Sequence, residues 1–590
     1  MPRGLTWAAL LLILLAETAL FFWKANRDVV RYYPRRFDQA TYLSLTYETY
    51  ERCRNGGFAR GVVELAKRGL PNGILLPIEA VTLFQFTGAS RLSALSLNLL
   101  HFVILAVALF LACRRLTGRS AAGFLGVGLL LMARTPYFWP GGLMDFRFDF
   151  AASCLFGTCV CLAILSDGFA RPGISLLAGL AMGVCAVTRF LTLGYFGVLG
   201  LAALLLLLNA ARVRADRAAA TGRLRGLAIA ASALGVIGCP VVWAHRGAIR
   251  AYYLGEHLGD VGRARVAAEF HRGTAAFLAY YPFTVLVRHA GPLVIAFSLG
   301  AGALAWRGRL RAGGRAGPAN ERLKAAALVV AASSLVPCAL LTADPQRQPD
   351  VASILLVPVL LAFFLWMITG FRRAGAPSPY ESVGAAAAIA AGLVFQVVGV
   401  SLSRVPPRER RDLAEVARLH DAAFSALRRS SSAFPIVSAD RFRDSFDANV
   451  LRAYAYERHG VLLRARQGLG SSVLERPDDE VVGILAGSDL VLLTRVPAPG
   501  TLVFPFTRQM ERIRSRLEDV CASRFVSEGR FRFFGGEVEL FSGSSLAQPE
   551  HAQEEAGENH LNAEQNRQGG WNHEAQRPDG IERPERRPVP

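Results

Sequence analysis

The stretch LTWAALLLILLAETALFFW, residues 5–23, is apolar over a length that crosses the hydrocarbon core of a bilayer. It carries Glu17 and runs directly into KANRDVVRYY without a small-residue cleavage site, so we interpret it as a retained signal-anchor span. Eleven such blocks predict a mostly α-helical, polytopic membrane protein with about 11 transmembrane helices. The blocks are 5–23, 93–113, 120–138, 150–166, 174–193, 194–209, 226–244, 291–306, 325–342, 351–370 and 383–403.

Lysine and arginine in the short loops between these blocks indicate the orientation of the chain. Short basic loops stay on the cytoplasmic side, and eleven spans with a cytoplasmic N-terminus place every one of them there. They are residues 113–119, 211–225, 307–324 and 371–373. The C-terminus is then expected outside a multi-pass protein of the cell membrane. The net charge of +20 reflects this topology and contact with anionic lipid or substrate, so nucleic acid is not an expected partner.

The composition changes after the last block and divides the chain. Residues 1–403 are predicted to form the membrane domain, and residues 404–545 alternate helical stretches with short apolar strands. That alternation predicts a small α/β domain on the outer face, with strands in FPIVSA, DLVLLT, TLVFPF, RFRFF and EVELFS. Residues 546–590 are polar with few apolar side chains, which predicts a disordered tail.

The first outer loop, residues 24–92, is unusually long. Its Tyr42, Leu45, Tyr47 and Tyr50 recur at roughly helical spacing. This spacing predicts amphipathic helices that lie along the outer membrane surface.

Asp38 is the first candidate catalytic residue, in the stretch RRFDQATY soon after the first span. Arg35 and Arg36 precede it and favour its ionised form. A carboxylate at this position can act as a general base towards an acceptor hydroxyl or amine. The alternative is an N-cap of the helix that follows, because Asp suits that position.

The stretch GGLMDFRFDFAA, residues 141–152, supplies further candidates at the mouth of a predicted span. Asp145, Arg147 and Asp149 share one side of an extended segment, and both aspartates also share a face of a helix. Ionisable groups at this depth are expensive and therefore functional candidates. The alternative is an Asp–Arg–Asp salt bridge that only fixes the loop. The pattern does not decide which aspartate lines a cavity.

Basic residues near the outer ends of spans and in the outer loops form a third group. Guanidinium groups bind phosphate and pyrophosphate with directed hydrogen bonds, although each one alone also suits contact with lipid headgroups. The candidates for substrate binding are Arg189, Arg246, Arg250, Arg263, Arg288, His289 and Arg347, together with Arg147.

The sequence contains no phosphate-binding glycine loop and no HExxH, GxSxG or CxxC motif. Soluble nucleotide-sugar, ATP-dependent and zinc-protease chemistry therefore lack support. No cofactor is predicted, no residue is assigned as a metal ligand, and a divalent metal is left open.

The order of these features resembles the GT-C-fold membrane glycosyltransferases of the protein O-mannosyltransferase and aminoarabinose-transferase type. The segments that carry the resemblance are the early Asp38 in an aromatic setting, GASRLSALSLNLLHFVILAVALFLACRRLTGRSAA, LLAGLAMGVCAVTRFLTLGYFG and SADRFRDSFDANVLRAYAYERHG. The resemblance covers roughly residues 1–545 at the level of layout. It implies transfer of a sugar from a polyprenyl-phosphate carrier to a lipid, glycan or protein acceptor.

The same resemblance implies roles for individual residues. Asp38 matches the first-loop acid taken as the base, and Asp145 or Asp149 matches the second-loop acid that helps to bind substrate. Arginines at the outer ends of later spans would hold the carrier phosphate. The chain departs from many relatives in having Gln39 after Asp38 rather than Glu, and its stretch DPQRQPD lacks the expected Lys/Arg-Tyr pattern around Arg347.

Two other classes of function fit a polytopic chain. One is a transporter or flippase for lipid-linked or anionic solutes, which usually shows internal repeats and broken spans. The other is a non-catalytic assembly protein that binds cell-wall partners through its outer domain. The absence of an internal repeat, the charged groups at span ends and the long first loop favour the glycosyltransferase.

Overall fold

The structure is a computed structural model that describes residues 3–32, 37–138, 141–212, 217–269, 274–311, 321–344, 348–373, 378–441, 445–470, 472–499 and 503–543. The helices before the C-terminal region are α1 Arg3–Lys24, α2 Phe37–Gly56, α3 Phe58–Lys67, α4 Leu75–Thr87, α5 Arg91–Thr117, α6 Ser120–Met132, α7 Thr135–Phe138, α8 Phe148–Leu165, α9 Pro172–Thr188, α10 Thr192–Arg212, α11 Arg217–Arg250, α12 Asp260–Glu269, α13 Thr274–Phe283, α14 Gly291–Arg311, α15 Glu321–Ala343, α16 Leu356–Arg373 and α17 Ser378–Leu402. Wider π-helical turns continue three of them at Ala25–Val29, Ala251–His257 and Thr284–Ala290, and a 3₁₀ turn at Asp350–Leu355 leads into α16.

The helical bundle agrees with the predicted spans. Within the described residues, 9 helical segments are long and apolar enough to cross a membrane. The shorter apolar helices α9 and α10 coincide with the predicted blocks 174–193 and 194–209. The prediction of a polytopic, mostly α-helical membrane protein is therefore confirmed.

Ion pairs and hydrogen bonds gather the basic loops at one end of the bundle. Arg115 and Arg322, from two of these loops, both contact Asp167, at 2.9 and 4.0 Å. Arg119 pairs with Glu381 at 3.0 Å, and the Thr6 and Ser120 hydroxyls lie 3.4 Å apart. The start of α1, the start of α17 and two of the basic loops thus share one end, as the predicted parity requires.

Small residues let the spans pack closely. A Cβ atom on Gly128 of α6 would lie 2.6 Å from the Ala388 Cβ of α17, and one on Gly179 of α9 would lie 2.3 Å from the Ala230 carbonyl of α11. Close backbone approach of this kind is the main route to helix association where lipid offers no hydrophobic driving force. Larger side chains at either position would push the helix pair apart.

Residues 24–92 form three helices, as the spacing predicts, but the aromatic face of α2 turns inward. Tyr47 is fully buried, between Phe84 and Tyr456, with ring centroids 5.9 and 4.5 Å away. Tyr42 packs edge-on against Phe148 at 4.5 Å. The aromatic spacing therefore marks a protein contact, because these rings fill space between helices.

The region between α11 and α14 differs from the outer loop, residues 245–290, that the predicted blocks 226–244 and 291–306 leave between them. Most of its described residues are helical, and α13 continues through a π-helical turn into α14. Apolar residues of α13 extend the candidate span to Ala275–Leu304, well before the predicted start at residue 291. The segment was predicted as a loop because basic and aromatic residues interrupt its apolar pattern.

The C-terminal region is a small α/β unit. Its elements are α18 Pro407–Arg429, β1 Ile436–Ala439, α19 Ala448–His459, β2 Arg466–Gln467, α20 Asp478–Ala486, β3 Leu490–Val496, α21 Pro505–Arg512, α22 Arg514–Arg524, β4 Phe525–Phe533 and β5 Gly536–Gly543. The strand order is β2-β1-β3-β5-β4, with β2, β1 and β3 parallel and β5 antiparallel to both β3 and β4.

Four of the five predicted strands are present, and one prediction is wrong. TLVFPF is not a strand at its described residues, because Pro505 opens helix α21 and proline suits the first position of a helix. Residues 501–502 of this stretch and the predicted tail, residues 546–590, lie outside the described residues.

Candidate active site

Arg147 lies at the centre of a cluster of charged side chains at the end of the bundle opposite the basic loops. Its Nη1 donates to Asp350 Oδ2 at 2.5 Å, its Nη2 donates to Asp38 Oδ2, and Nη2 also lies 3.8 Å from Asp149 Oδ2. One guanidinium thus joins carboxylates from three separate segments. Such planar, charge-assisted contacts are the strongest that a side chain makes.

The electrostatic balance favours this arrangement. Burial lowers the pKa of Arg147, but the negative charges of Asp38, Asp145, Asp149 and Asp350 outweigh that effect and hold its pKa well above the usual range. The guanidinium is therefore a permanent cation at the centre of the cluster.

Asp149 is shared between two arginines. It lies in the first turn of α8, where the helix dipole favours a negative charge, and its Oδ1 lies 3.1 Å from Arg189 Nη2. Arg189 follows directly after the last residue of α9. The structure therefore brings together Asp149, Arg147 and Arg189 of the predicted site residues.

Asp145 has a different environment. Its Oδ2 accepts from the Gly141 amide at 3.1 Å, and its carbonyl oxygen accepts from the Arg147 amide at 2.9 Å and from Asn98 Nδ2 at 2.8 Å. These bonds fix the course of the loop. The carboxylate of Asp149 lies between the Arg147 and Arg189 side chains, whereas the Asp145 carboxylate is bound by the loop backbone and adds its negative charge near Arg147.

Asp38 lies in the first turn of α2 and is the most accessible acid of the cluster. Its side chain is 43% exposed, against 5% for Asp149 and 11% for Asp350. Tyr42, one turn further along α2, accepts a hydrogen bond from Asn72 at 3.2 Å. Burial, reinforced by the charge of Asp38, raises the pKa of Tyr42 well above its usual range, so this hydroxyl stays protonated.

Asp350 is a member of the cluster that the sequence reasoning missed. The stretch TADPQRQPD drew attention to Arg347, which lies outside the described residues. Asp350 stands immediately before a predicted span, as Asp149 does, and that shared position was the available signal. A second acidic contact near this segment joins Asp344 to His257 Nδ1 at 2.7 Å.

His289 supports the cluster from behind. It is fully buried, its Nδ1 is 2.9 Å from the Thr135 hydroxyl, and its Nε2 is 2.7 Å from the Pro349 carbonyl. Thr135 precedes the Arg147 loop, and Pro349 precedes Asp350. His289 thus ties together the two segments that meet in the Arg147–Asp350 ion pair, and both of its ring nitrogens are engaged by protein.

Two of the other predicted basic residues, Arg246 and Arg263, contact residues outside the cluster. Arg246 stacks on Trp243 at 4.4 Å and donates to its carbonyl at 2.8 Å. Arg263 pairs with Asp260 at 2.5 Å on an exposed helix, Arg250 is exposed, and Arg288 is half-buried. The contacts of Arg246 and Arg263 are therefore with Trp243 and Asp260, neither of which belongs to the cluster.

The cluster does not fit a divalent metal. Three carboxylates around one point would be a good oxygen ligand set, but the Arg147 guanidinium lies between them and takes up Asp38 and Asp350 by direct ion pairs. Among the described residues, no group of three or more His, Cys, Asp and Glu side chains has the arrangement of a metal site.

A bundle of membrane-crossing helices, a helical first loop and a charged cluster at one end together define a polytopic membrane protein with a GT-C fold. The structure is similar to the crystal structure of ArnT from Cupriavidus metallidurans bound to undecaprenyl phosphate. The match has a TM-score of 0.53 and 13% sequence identity, and covers 93% of this chain and 100% of that chain. The fold that the sequence resemblance implied is confirmed.

A further match is the archaeal oligosaccharyltransferase AglB from Archaeoglobus fulgidus, in complex with an inhibitory peptide and a dolichol-phosphate. It has a TM-score of 0.48 and 11% identity, and covers 92% of this chain and 75% of that chain. The sequence matches no protein-family model and no curated protein.

Proposed function

We propose that this chain is an integral-membrane glycosyltransferase that moves a hexose or pentose from a polyprenyl-phosphate carrier to an acceptor on the outer face of the cell membrane. The acceptor class is a lipid, a polysaccharide or a protein. The observation that carries the proposal is the cluster around Arg147, where Asp38, Asp149, Arg189 and Asp350 arrive from four segments. The cluster occurs in a fold shared with ArnT, whose crystal structure holds undecaprenyl phosphate.

Asp38 is the proposed general base. It is the one acid of the cluster with an accessible side chain, and Arg147 keeps it oriented through a direct hydrogen bond. A base must reach the proton that it removes, within about 3 Å or through one water. The nearly buried Asp149 and Asp350 instead hold Arg147 in place.

Arg189 is the proposed phosphate contact. One side of its guanidinium pairs with Asp149, and its Nε is buried without a hydrogen-bond partner among the described residues. The buried Tyr253 hydroxyl also lacks such a partner there, and it interacts electrostatically with Arg189. Unpaired buried donors are costly, and phosphate oxygens would satisfy both.

The proposed reaction uses Asp38 as the base and Arg189 as the phosphate contact. The acceptor hydroxyl or amine gives its proton to Asp38 as its oxygen or nitrogen forms a bond to the anomeric carbon. The bond from that carbon to the phosphate oxygen breaks, and its electron pair remains on the phosphate. Arg189 and Arg147 offset the charge that develops there. A single displacement of this kind inverts the anomeric centre.

The direction across the membrane is part of the proposal. The basic loops and the start of α1 share one end of the bundle, and the positive-inside tendency assigns that end to the cytoplasm. The Arg147 cluster is at the other end, so transfer takes place outside. Residues 1–403 are the proposed catalytic domain, residues 404–545 an outer domain, and residues 546–590 a polar tail.

The test is mass spectrometry of envelope glycans from cells that lack the protein and from cells complemented with wild type, Asp38→Asn or Asp260→Asn. Asp260 is the matched control, because it is also paired with an arginine but lies on the exposed face of α12. We expect one sugar modification to disappear without the protein, to return with wild type and Asp260→Asn, and to stay absent with Asp38→Asn at equal protein level.

Restoration of the modification by Asp38→Asn would refute the assigned base. Accumulation of sugar-loaded carrier on the cytoplasmic side in the deletion strain would instead indicate a flippase and would overturn the proposed function.

A further inference from the structure

The C-terminal α/β region contacts the helix that carries Asp38 through a buried polar junction. Glu457 of α19 accepts three hydrogen bonds from Arg91, the shortest at 2.6 Å, and one from the Tyr47 hydroxyl at 2.7 Å. Arg91 is the first residue of α5 and only 4% exposed, and Tyr47 is a fully buried residue of α2. One carboxylate therefore ties the C-terminal region to the start of a span and to α2.

Arg91 extends the junction to the end of the first span. Its Nη1 donates to the Val29 carbonyl at 3.2 Å, and its Nη2 donates to the Tyr32 carbonyl at 2.5 Å. These carbonyls lie on the segment that leads from α1 towards Asp38. The guanidinium is thus held on both sides, by Glu457 and by the backbone that precedes α2.

Tyr456, the neighbour of Glu457, makes a second set of contacts with α2. Its ring stacks on Tyr47 with centroids 4.5 Å apart and planes 16° from parallel. Its hydroxyl donates to Glu51 at 2.6 Å, one turn further along α2. Stacked rings and charge-assisted bonds together fix both the rotation and the position of the helix.

The first turn of α2 is also part of the C-terminal core. Ala40, two residues after Asp38, is fully buried in the hydrophobic cluster that includes Val416 of α18 and Leu451 of α19. On the other side of the same turn, Gln39 Nε2 donates to the Met144 carbonyl at 3.3 Å. The turn that carries Asp38 therefore lies between the C-terminal region and the loop that carries Arg147.

We propose that the C-terminal α/β region is a positioning element for the active site, with Glu457 as the residue that holds α2 so that Asp38 meets Arg147. The distance from Asp38 to Tyr47 is roughly 13 Å along the helix axis, so Glu457 acts through the helix and never contacts substrate. The kinetic test of this role rests on the proposed function, because it measures sugar transfer. The hydrogen-exchange test does not, because it measures the stability of α2 directly.

The experiment uses the full chain with Glu457→Gln, which keeps the shape of the side chain but removes its charge. The control is Glu480→Gln on α20, an acid of the same region that pairs with Arg476 at 3.4 Å and is 43% exposed. Hydrogen exchange read by mass spectrometry reports on α2, β1 and β3 without any substrate. We expect faster exchange in α2 for Glu457→Gln, unchanged exchange in β1 and β3, and no change for Glu480→Gln.

The kinetic arm measures sugar transfer. If Glu457→Gln displaces Asp38, kcat falls while the KM values for donor and acceptor stay within about twofold. A shift of about 1 Å lowers kcat by roughly 10–100-fold. Should Glu457→Gln fold poorly, Tyr456→Phe keeps the stacked ring and removes only the bond to Glu51, with a smaller effect of the same sign.

The two proposals fail in different ways. Unchanged α2 exchange together with unchanged kcat in both variants would overturn the positioning role. Exchange that rises equally in α2, β1 and β3 would overturn it as well, because it would indicate general unfolding. If Glu457→Gln exchanges faster in α2 but the wild-type protein transfers no sugar, the proposed function is refuted. The positioning of α2 by Glu457 is then still supported.

Discussion

Arg147→Met is the substitution that tests the charged cluster most severely. Methionine retains an unbranched apolar stem but removes the guanidinium that joins Asp38, Asp149 and Asp350. The three carboxylates are then left near one another, and Arg189 remains 3.1 Å from Asp149.

The size of the effect follows from burial. Breaking a buried ion pair by removing one partner costs about 3–5 kcal/mol. The lower end applies here, because Asp38 is 43% exposed and water screens its share of the interaction. Asp149 also keeps its contact with Arg189. We therefore expect a clear fall in Tm and a loss of sugar transfer, since neither the base nor the donor site keeps its geometry.

The variant is also expected to gain a property that wild type lacks. Three carboxylates without the guanidinium between them form an oxygen ligand set that suits a divalent cation. A ligand that binds the folded state raises its stability in proportion to RT ln(1 + [L]/Kd). Mn²⁺ should therefore raise the Tm of Arg147→Met much more than that of wild type.

The assay is thermal unfolding of the purified protein in detergent, with and without Mn²⁺, for wild type, Arg147→Met and Arg60→Met. Arg60 is a suitable control, because it pairs with Glu64 at 3.0 Å on an exposed helix face. An unchanged Tm for Arg147→Met would show that the cluster does not depend on the guanidinium. An equal Mn²⁺ response in wild type would show that a metal, and not Arg147, organises the acids.

Three further outcomes are expected. Asp149→Asn should lower kcat far more than Asp145→Asn, measured by transfer kinetics, because the Asp145 side chain bonds to the backbone; equal losses would contradict this. His289→Phe should lower both Tm and kcat, because it removes the bonds to Thr135 and Pro349; wild-type values for both would contradict the bridging role. Burial lowers the pKa of His420 to about 3, so the folded state favours the neutral imidazole. Its contribution to the free energy of unfolding is therefore complete above pH 6.5 and falls by up to about 1.4 kcal/mol per pH unit below pH 6.5. Thermal unfolding from pH 7.5 to 5 should show this fall in wild type and a flatter profile in His420→Phe, and identical slopes would contradict the assignment.

Features with a local signal were predictable from the sequence. Apolar length alone located most of the spans, although it missed the early start of Ala275–Leu304. The alternation in MDFRFDF identified the charged residues at the mouth of α8. The sequence could not choose between Asp145 and Asp149, because that choice depends on where Arg189 arrives from another helix.

Features that depend on distant pairing were not predictable. Asp350 resembles any acid before a span until the structure brings it to Arg147, 203 residues away in sequence. Glu457 and Arg91 are 366 residues apart, and neither lies in a motif that indicates the other. The aromatic spacing in α2 correctly predicted a helix, but it could not show that protein, and not the membrane surface, covers Tyr42 and Tyr47.

The wrong strand prediction at TLVFPF also arises because contacts with residues distant in sequence decide the structure. A short run of β-branched and aromatic residues favours a strand locally, but Pro505 is also well suited to begin a helix. Packing of Phe506 and Met510 into the C-terminal core decides in favour of α21.

Sugar transfer from the polyprenyl-phosphate carrier is measured most directly with the purified protein in liposomes that contain a radiolabelled sugar on a polyprenyl phosphate and an acceptor extract from the same cells. We expect wild type to release one free carrier phosphate for each sugar that appears on the acceptor, and Asp38→Asn to release none above background. Transfer by Asp38→Asn at the wild-type rate, or loss of sugar from the outer leaflet without any acceptor product, would contradict this expectation.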